Sequence, residues 1–180
     1  MNTAPAFFQG VTDALFSAIV LWVDKLYNPR SERGMHDFLR FVEGHLSLFS
    51  VAALKERRAY PDDHWMLRPE NRQVITKESI RADKNRLKGL TWLRSIKKRR
   101  DKFHAHFDAQ YFFDRSSISK EAPLTWADLD EAVKVATEVL NTYSAAYDGK
   151  ILISEPVNAA DVDYLLNELH ALRQRQPLKP

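Results

Sequence analysis

Apolar residues recur at spacings of three and four positions along almost the whole chain, and this period constrains the fold more than any other feature. It is the period of one face of an α-helix packed in a bundle. Only 5 glycines and 8 prolines occur among 180 residues, too few for the many tight corners of a β-sandwich or barrel. The sequence therefore predicts an all-α protein, an up-and-down bundle of four to five helices.

Five helical segments can be placed, with a long loop over residues 60–73 and a strand or extended connector over 150–153. The fourth is the clearest, because Thr125 and Asp128 form a capping-box pattern and Gly149 follows the end of the helix. Its apolar pattern consists of Trp126, Leu129, Val133, Ala136, Leu140, Tyr143 and Tyr147. In the fifth helix, the residues expected to face the core are Val162, Leu165, Leu166, Leu169 and Leu172. The predicted helices cover 7–26, 35–49 with room to continue to 60, 76–107, 125–148 and 159–172.

Length and composition limit the domain and its chemistry. A chain of this length is expected to form one domain, here residues 1–175, with 176–180 as a frayed tail. The absence of cysteine excludes disulfide scaffolds, thiolate zinc sites and cysteine nucleophiles. The formal net charge of +3 is mild, so a nucleic-acid partner must be argued from where the charges lie.

The N-terminal segment is expected to be a core helix of a cytoplasmic protein that makes no membrane contact. No basic residue precedes its apolar stretch, and Asp13 lies inside it. The uninterrupted apolar run over residues 18–23 is shorter than the about 20 residues that span a bilayer.

The segment 94–108 carries the residues of most chemical interest. Arg100 lies four residues after Ile96 and three before Phe103, inside an apolar stripe of the predicted helix. A guanidinium on a buried face is costly unless it meets a carboxylate, reaches the bundle edge or borders a cleft. Arg100 is therefore either a paired structural residue or part of a site.

His104 and His106 follow Arg100 closely and suggest two chemistries. As a metal pair they would point about 200° apart on a helix, and only Asp108 offers a further ligand nearby, so no metal or other cofactor is predicted. The other chemistry is phosphoryl transfer within RNA, in which a histidine accepts the 2′-hydroxyl proton and an arginine stabilises charge on the phosphate. This reaction needs neither a metal nor a cluster of carboxylates.

The basic run from Lys97 to Lys102 would give such a site a positive field for the RNA backbone. Taken alone, a run of this kind is also typical of a solvated helix face or a nuclear localisation signal. The candidate RNA-binding residues are Lys97, Lys98, Arg99, Lys102 and His104.

Residues 100–108, Arg-Asp-Lys-Phe-His-Ala-His-Phe-Asp, resemble the signature of higher eukaryotes and prokaryotes nucleotide-binding (HEPN) domains, in the form of the abortive-infection U-type branch. The resemblance extends over most of residues 5–150, where a long helix carries the motif and an amphipathic helix ending in Tyr-Asp-Gly follows an irregular segment. It implies a metal-independent endoribonuclease, a toxin or phage-defence effector, with His106 as general acid–base, Arg100 as phosphate contact and Asp101 as orienting residue. The implied groove lies between two protomers, so a homodimer, an RNA substrate and an antitoxin or other regulatory protein are the expected partners.

The pairing of arginine and histidine leaves alternatives open. Arg99 also stands at an allowed spacing to both histidines, and Arg100 is preferred because Asp101 follows it. On a straight helix Arg100 and His106 would be about 120° apart, so the helix must bend or end, or the pair must act across a dimer axis. Branches paired with a nucleotidyltransferase antitoxin carry a tyrosine where Asp108 stands, so modification at that position is not expected.

Two other functions compete with the ribonuclease. One is a non-catalytic HEPN-like helical module that binds RNA or a protein, and the other is a structural dimer whose arginine and histidine groups are buried pairs.

Overall fold

A computed structural model describes residues 5–104, 115–153 and 159–175. These residues form α-helices joined by turns, with no strand among them, and the predicted all-α helical bundle is confirmed. The helices are α1 (Pro5–Tyr27), α2 (Met35–Gly44), α3 (Val51–Arg58), α4 (Lys77–Lys88), α5 (Leu93–Arg99), α6 (Arg115–Glu121), α7 (Trp126–Asp148) and α8 (Ala159–Arg175).

The chain divides into two compact units. The main unit contains residues 17–153, and the terminal unit contains residues 1–16 together with 154–180. A single domain over residues 1–175 stays a prediction, and the predicted tail at 176–180 lies outside the described residues.

The second predicted helix is in fact two helices. α2 ends at Gly44, a 3₁₀ turn covers Leu46–Phe49, and Ser50 takes an extended conformation before α3. The Ser50 hydroxyl accepts a hydrogen bond from the Ala53 amide at 3.1 Å. This bond satisfies one of the N–H groups that a new helix start leaves unpaired, so the serine favours a fresh start over a continuous helix.

The third predicted helix is also broken. It starts as predicted, with Thr76 capping α4, but the helix ends at Gly89, whose N–H donates to the Asn85 carbonyl at 3.0 Å. Glycine costs about 1 kcal/mol in a helix interior relative to alanine, so the break falls where helix propensity is lowest. The turn that follows buries Trp92, which packs edge-on against Tyr27 with ring centroids 5.1 Å apart.

The loop over residues 60–73 and the connector after α7 are confirmed. The loop contains two short 3₁₀ turns, Trp65–Leu67 and Pro69–Asn71. Residues 151–153 form a connector that lies outside any helix or strand. The Asn141 side chain holds this connector on α7, since it donates to the Leu152 carbonyl at 2.9 Å and accepts from the Leu152 amide at 2.6 Å.

The ends of α7 follow the sequence prediction closely. The Thr125 hydroxyl accepts from the Asp128 amide at 3.1 Å, and the Asp128 carboxylate accepts from the Thr125 amide at 2.7 Å. Gly149 terminates the helix with a φ of 67°, in the left-handed region. A Cβ on Gly149 would also lie 3.1 Å from the Met66 methyl carbon, so the position is restricted by both conformation and space.

The buried face of α7 differs from the predicted pattern. Trp126, Val133 and Tyr147 are 54%, 50% and 40% exposed. Small residues take their place, because alanines allow the neighbouring helices to approach closely. The buried residues of α7 are Leu129, Ala132, Val135, Ala136, Val139, Tyr143 and Ala146.

The predicted inward face of α8 is wrong. Four of its five residues are exposed and Leu169 is half-buried. The pattern identified an amphipathic helix correctly, but an apolar stripe does not say whether the chain itself covers it. The exposed residues are Val162, Leu165, Leu166 and Leu172.

α1 is a core helix only in its last two turns. Val20, Val23, Asp24 and Tyr27 are buried there, whereas large apolar side chains closer to the N-terminus, such as Phe7 at 65%, are exposed. By length and composition α1 could cross a membrane, since an 18-residue window has a mean hydropathy of 1.6 and 11% of it is buried. The core helix of a soluble protein and a signal sequence meet the same criteria of length and composition.

Candidate functional site

The motif segment leaves α-helical geometry at Arg100. α5 ends at Arg99, and Arg100–His104 form a π-helical turn. Such turns are rare and concentrate at functional sites. Because a π turn is wider than an α turn, the angle of about 120° expected for a straight helix does not apply beyond Arg100.

Two predicted residues of the motif cannot be placed. His106, the expected general acid–base, and Asp108 lie outside the described residues. Of His104 only the backbone, at the end of the π turn, is described.

The Arg100 guanidinium is held by two carboxylates. Its Nη1 donates to Asp24 Oδ2 at 2.5 Å, and its Nε and Nη2 donate to Asp101 Oδ1 at 2.7 and 2.5 Å. The side chain is 25% exposed, so part of it still reaches solvent. A guanidinium gripped on two sides cannot rotate freely, and its remaining N–H donors therefore have a defined direction.

These carboxylates also secure the charge of Arg100. Burial alone would lower the pKa of the guanidinium, but the hydrogen bonds to Asp101 and Asp24 outweigh it and raise the pKa above its ordinary value. Arg100 is a permanent cation at any pH at which the protein is folded.

Asp24 was missed by sequence reasoning, although a signal for it existed. It stands four residues after Val20 and three before Tyr27, both buried, so it interrupts an apolar stripe of α1 just as Arg100 interrupts that of the motif helix. Two opposite charges, each inside an apolar stripe of a different helix, indicate a pair buried between helices. Asp24 is 9% exposed.

A cleft opens beside this ion pair, with a volume of about 290 Å³. The end of α1, the turn that follows it and one face of α5 form its walls. Three of its lining residues are cations and one is a carboxylate, so the cleft suits an anion. The lining residues are Asp24, Tyr27, Asn28, Pro29, Arg30, Leu93, Lys97 and Arg100.

The basic run divides between this cleft and other parts of the surface. Lys97 lines the cleft, whereas Lys98 pairs with Glu121 of α6 at 2.5 Å. Arg99 is only 7% exposed, and its Nε donates to the Ala122 carbonyl at 2.7 Å. Burial lowers the pKa of Arg99, but an arginine remains charged after such a shift.

Lys102 is exposed on the π turn. The structure thus brings Arg100, Asp101 and Lys97 to one place and directs Lys98 and Arg99 elsewhere. RNA contacts by Lys98, Arg99, Lys102 and His104 stay predictions. Within residues 5–104, 115–153 and 159–175 no group of three or more histidine or carboxylate side chains could hold a metal ion.

Comparison with known proteins identifies the family. The sequence profile of HEPN_AbiU2, described as AbiU2, matches residues 1–171. Neither a curated protein nor a solved structure matches the chain. The match extends on both sides of the segment around Arg100, from α1 to α8, so it covers far more than the short motif. The chain belongs to the HEPN AbiU2 family, HEPN-type helical domains linked to abortive infection.

Proposed function

We propose that this protein is a metal-independent endoribonuclease that acts as an abortive-infection effector. The observation that carries the proposal is the Arg100 guanidinium, which two carboxylates fix at the wall of a cationic cleft in a HEPN-type domain. A fixed arginine is suited to stabilise the charge that builds up on a phosphate during cleavage, because no reorganisation is needed when the charge appears.

The proposed reaction uses the RNA's own 2′-hydroxyl as nucleophile. His106 accepts the 2′-hydroxyl proton while the 2′-oxygen attacks the adjacent phosphorus, and the bond to the 5′-oxygen breaks. A second acid, a histidine or water, donates a proton to the leaving 5′-oxygen. Arg100 contacts the non-bridging oxygens, and Asp101 and Asp24 keep its guanidinium in position.

The surroundings of the two arginines support Arg100, and not Arg99, as the partner of the histidine. Arg99 is buried with its Nε on a backbone carbonyl, whereas Arg100 lines the cleft. The π turn between Arg100 and His104 supports the expectation that the helix does not continue straight to His106.

We further propose that the active form is a homodimer with the motif helix at or beside the two-fold axis, regulated by an antitoxin or another protein. Exposed apolar side chains support association with a second copy, because a monomer rarely leaves many of them in water. On α1 and α8 these include Phe7, Leu15, Trp22, Val162, Leu165 and Leu172. A symmetric contact near the motif would place two basic runs opposite each other.

We propose that the protein acts in the cytoplasm. The support lies in α1, whose last two turns bury Val20, Val23 and Tyr27 in the main unit. A bilayer needs about 20 apolar residues, and using them all would pull these side chains and the Asp24 carboxylate out of the core.

One observation favours a second candidate, a non-catalytic module of the same fold that binds RNA or protein. Three nitrogens of Arg100 already donate to carboxylates, an arrangement that also serves as a purely structural ion pair. Such a module would bind single-stranded RNA without cutting it. Loss of Arg100 would then reduce its stability more than its RNA binding.

Controlled expression in bacteria tests the proposal. We expect the wild-type protein to arrest growth and cleave cellular RNA, and His106→Ala to relieve both effects at equal protein level. Purified wild-type protein should cut a single-stranded RNA in excess EDTA. Equal growth with the two proteins, together with no cleavage by the purified wild type, would contradict the ribonuclease and favour the binding module.

A further inference from the structure

The cleft beside Arg100 contains two cations that the motif does not account for. Arg30 follows α1 and Lys97 lies on α5, and both line the cleft together with Arg100. Arg100 is paired with Asp24 and Asp101, but neither Arg30 nor Lys97 has a carboxylate partner within the described residues. Their charge is therefore available to a ligand, whereas the single positive charge of Arg100 is shared between Asp24 and Asp101.

The turn that carries Arg30 is held firmly. The Asn28 side-chain oxygen accepts from the Arg30 amide at 3.0 Å, and the Asn28 carbonyl accepts from the Ser31 amide at 2.9 Å. Gly34 lies so close to the end of α1 that a Cβ there would be 2.9 Å from the Leu26 carbonyl oxygen. A rigid turn loses little entropy when its arginine binds a ligand.

The shape of the cleft fits one unit of a polynucleotide chain. Its volume of about 290 Å³ is at the lower end of the range for ligand pockets, too small for a folded RNA element. Pro29 and Leu93 add apolar surface to the lining of the cleft, suitable for a ribose or the face of a base. Charge, size and lining all suit a phosphate with one attached nucleoside.

From these observations we infer that the cleft is a binding subsite for a backbone phosphate of single-stranded RNA, next to the phosphate that Arg100 contacts, with Arg30 and Lys97 as its ligands. The inference rests on the proposed function for the choice of RNA as ligand. It assigns a role to Arg30, which lies outside the motif segment, and it separates Lys97 from Lys98 and Arg99 within the basic run.

Binding measurements on a protein that cannot cut its ligand test the subsite. In the His106→Ala protein, the affinity for a fluorescent unstructured 12-nucleotide RNA is compared before and after adding Arg30→Gln or Lys97→Gln. Arg68→Gln and Lys134→Gln are matched controls, since both residues are exposed and line no part of the cleft. Thermal unfolding verifies that every variant is folded.

We expect each cleft substitution to weaken binding about fivefold, the equivalent of roughly 1 kcal/mol for one exposed charge contact. The slope of log affinity against log salt concentration should become shallower by about 0.7 for each, as for one lost phosphate contact on a single strand. Unchanged affinity and slope, or equal losses in the controls, would overturn the subsite.

Two further outcomes separate the subsite from the ribonuclease. If wild-type protein does not cut RNA but the cleft substitutions still weaken binding, the subsite stands and the proposed activity fails. If wild-type protein cuts RNA and the cleft variants bind and cut it equally well, the activity stands and the subsite fails.

Adenosine monophosphate should compete at least tenfold more weakly than the 12-mer, because a strand makes further contacts. Equal affinity would overturn the assignment to an RNA strand and indicate a mononucleotide site.

Discussion

Asp24 on α1 and Arg100 at the start of the π turn, 76 residues apart in sequence, form an ion pair with 2.5 Å between Oδ2 and Nη1. The pair ties the first helix to the motif segment and makes Asp24 a positioning residue for the proposed phosphate contact. A charged side chain is costly inside an apolar stripe. The ion pair accounts for both, because each residue compensates the charge of the other.

We expect Asp24→Ala to lower the free energy of unfolding by about 1–2 kcal/mol, because it leaves a largely buried guanidinium with one carboxylate. Asp24→Asn should cost less, since its side-chain oxygen can still accept a hydrogen bond. Asp37→Asn is the control, because the Asp37–Arg40 pair is exposed to solvent and should contribute little to stability. Urea unfolding measures all three, and equal effects for Asp24→Ala and Asp37→Asn would argue against a role for Asp24 in holding Arg100.

The proposed chemistry predicts a ranking of single substitutions. Arg100→Ala should lower kcat by about 10²–10³, as for loss of one preorganised donor to a developing negative charge. His106→Ala should abolish measurable cleavage, and His104→Ala should cost much less. Initial rates on a labelled RNA give the ranking. An inactive His104→Ala beside an active His106→Ala would replace the Arg100–His106 pair with Arg99–His104.

Tyr27 predicts how stability depends on alkaline pH. Burial raises the pKa of its phenol from 10.0 to about 12, so the folded protein holds the proton after the unfolded chain has lost it. The raised pKa therefore adds to the free energy of unfolding. This contribution is fully present below pH 10, and up to about 3 kcal/mol of it is lost as the pH rises from 10 to 12. In Tyr27→Phe the fall in stability over this range should be shallower, whereas exposed Tyr164→Phe should match the wild type. Denaturant unfolding at pH 9 to 12 measures it, and identical curves for all three proteins would contradict the expectation.

The assembly prediction concerns mass in solution. Light scattering at micromolar concentration should give twice the 20.9 kDa of one chain. A strictly monomeric mass across that range would contradict the proposed dimer, and so would a dimer whose contact leaves both Arg100 residues far from the shared surface.

Local signals in the sequence predicted helix ends well. Thr125 with Asp128, and Gly149 after the helix, act within a few residues, so their effect does not depend on the rest of the fold. Breaks inside α-helical patterns are harder to predict, because Ser50 and Gly89 interrupt apolar periods that continue on either side. Helix propensity and capping override periodicity at such positions.

Which face of a helix is buried could not be predicted from the large apolar residues. On α7, Trp126 and Val133 are exposed while Ala132 is buried, because close helix packing favours small side chains. Large apolar residues also obscure Asp24, since Leu21 and Trp22 are exposed whereas Val20, Val23 and Asp24 are buried.

The cleft could not be predicted from the sequence, for a different reason. The sequence singled out Arg100, Asp101 and Lys97, which are close together in the chain. Arg30 joins them only because the fold brings the turn after α1 to the same cleft as α5, and no local pattern marks this turn as part of a site. Long-range partners of a motif are set by the fold and not by the motif.

Attack by the RNA's own 2′-oxygen without a metal can be tested with a single modified substrate. Two otherwise identical oligonucleotides are compared in excess EDTA, one all-ribose and one with a single 2′-deoxy sugar at the cleavage site. We expect only the all-ribose strand to be cut there, leaving a 2′,3′-cyclic phosphate and a 5′-hydroxyl. Cleavage of the deoxy strand at the same rate, or loss of all cleavage on adding EDTA, would contradict this mechanism.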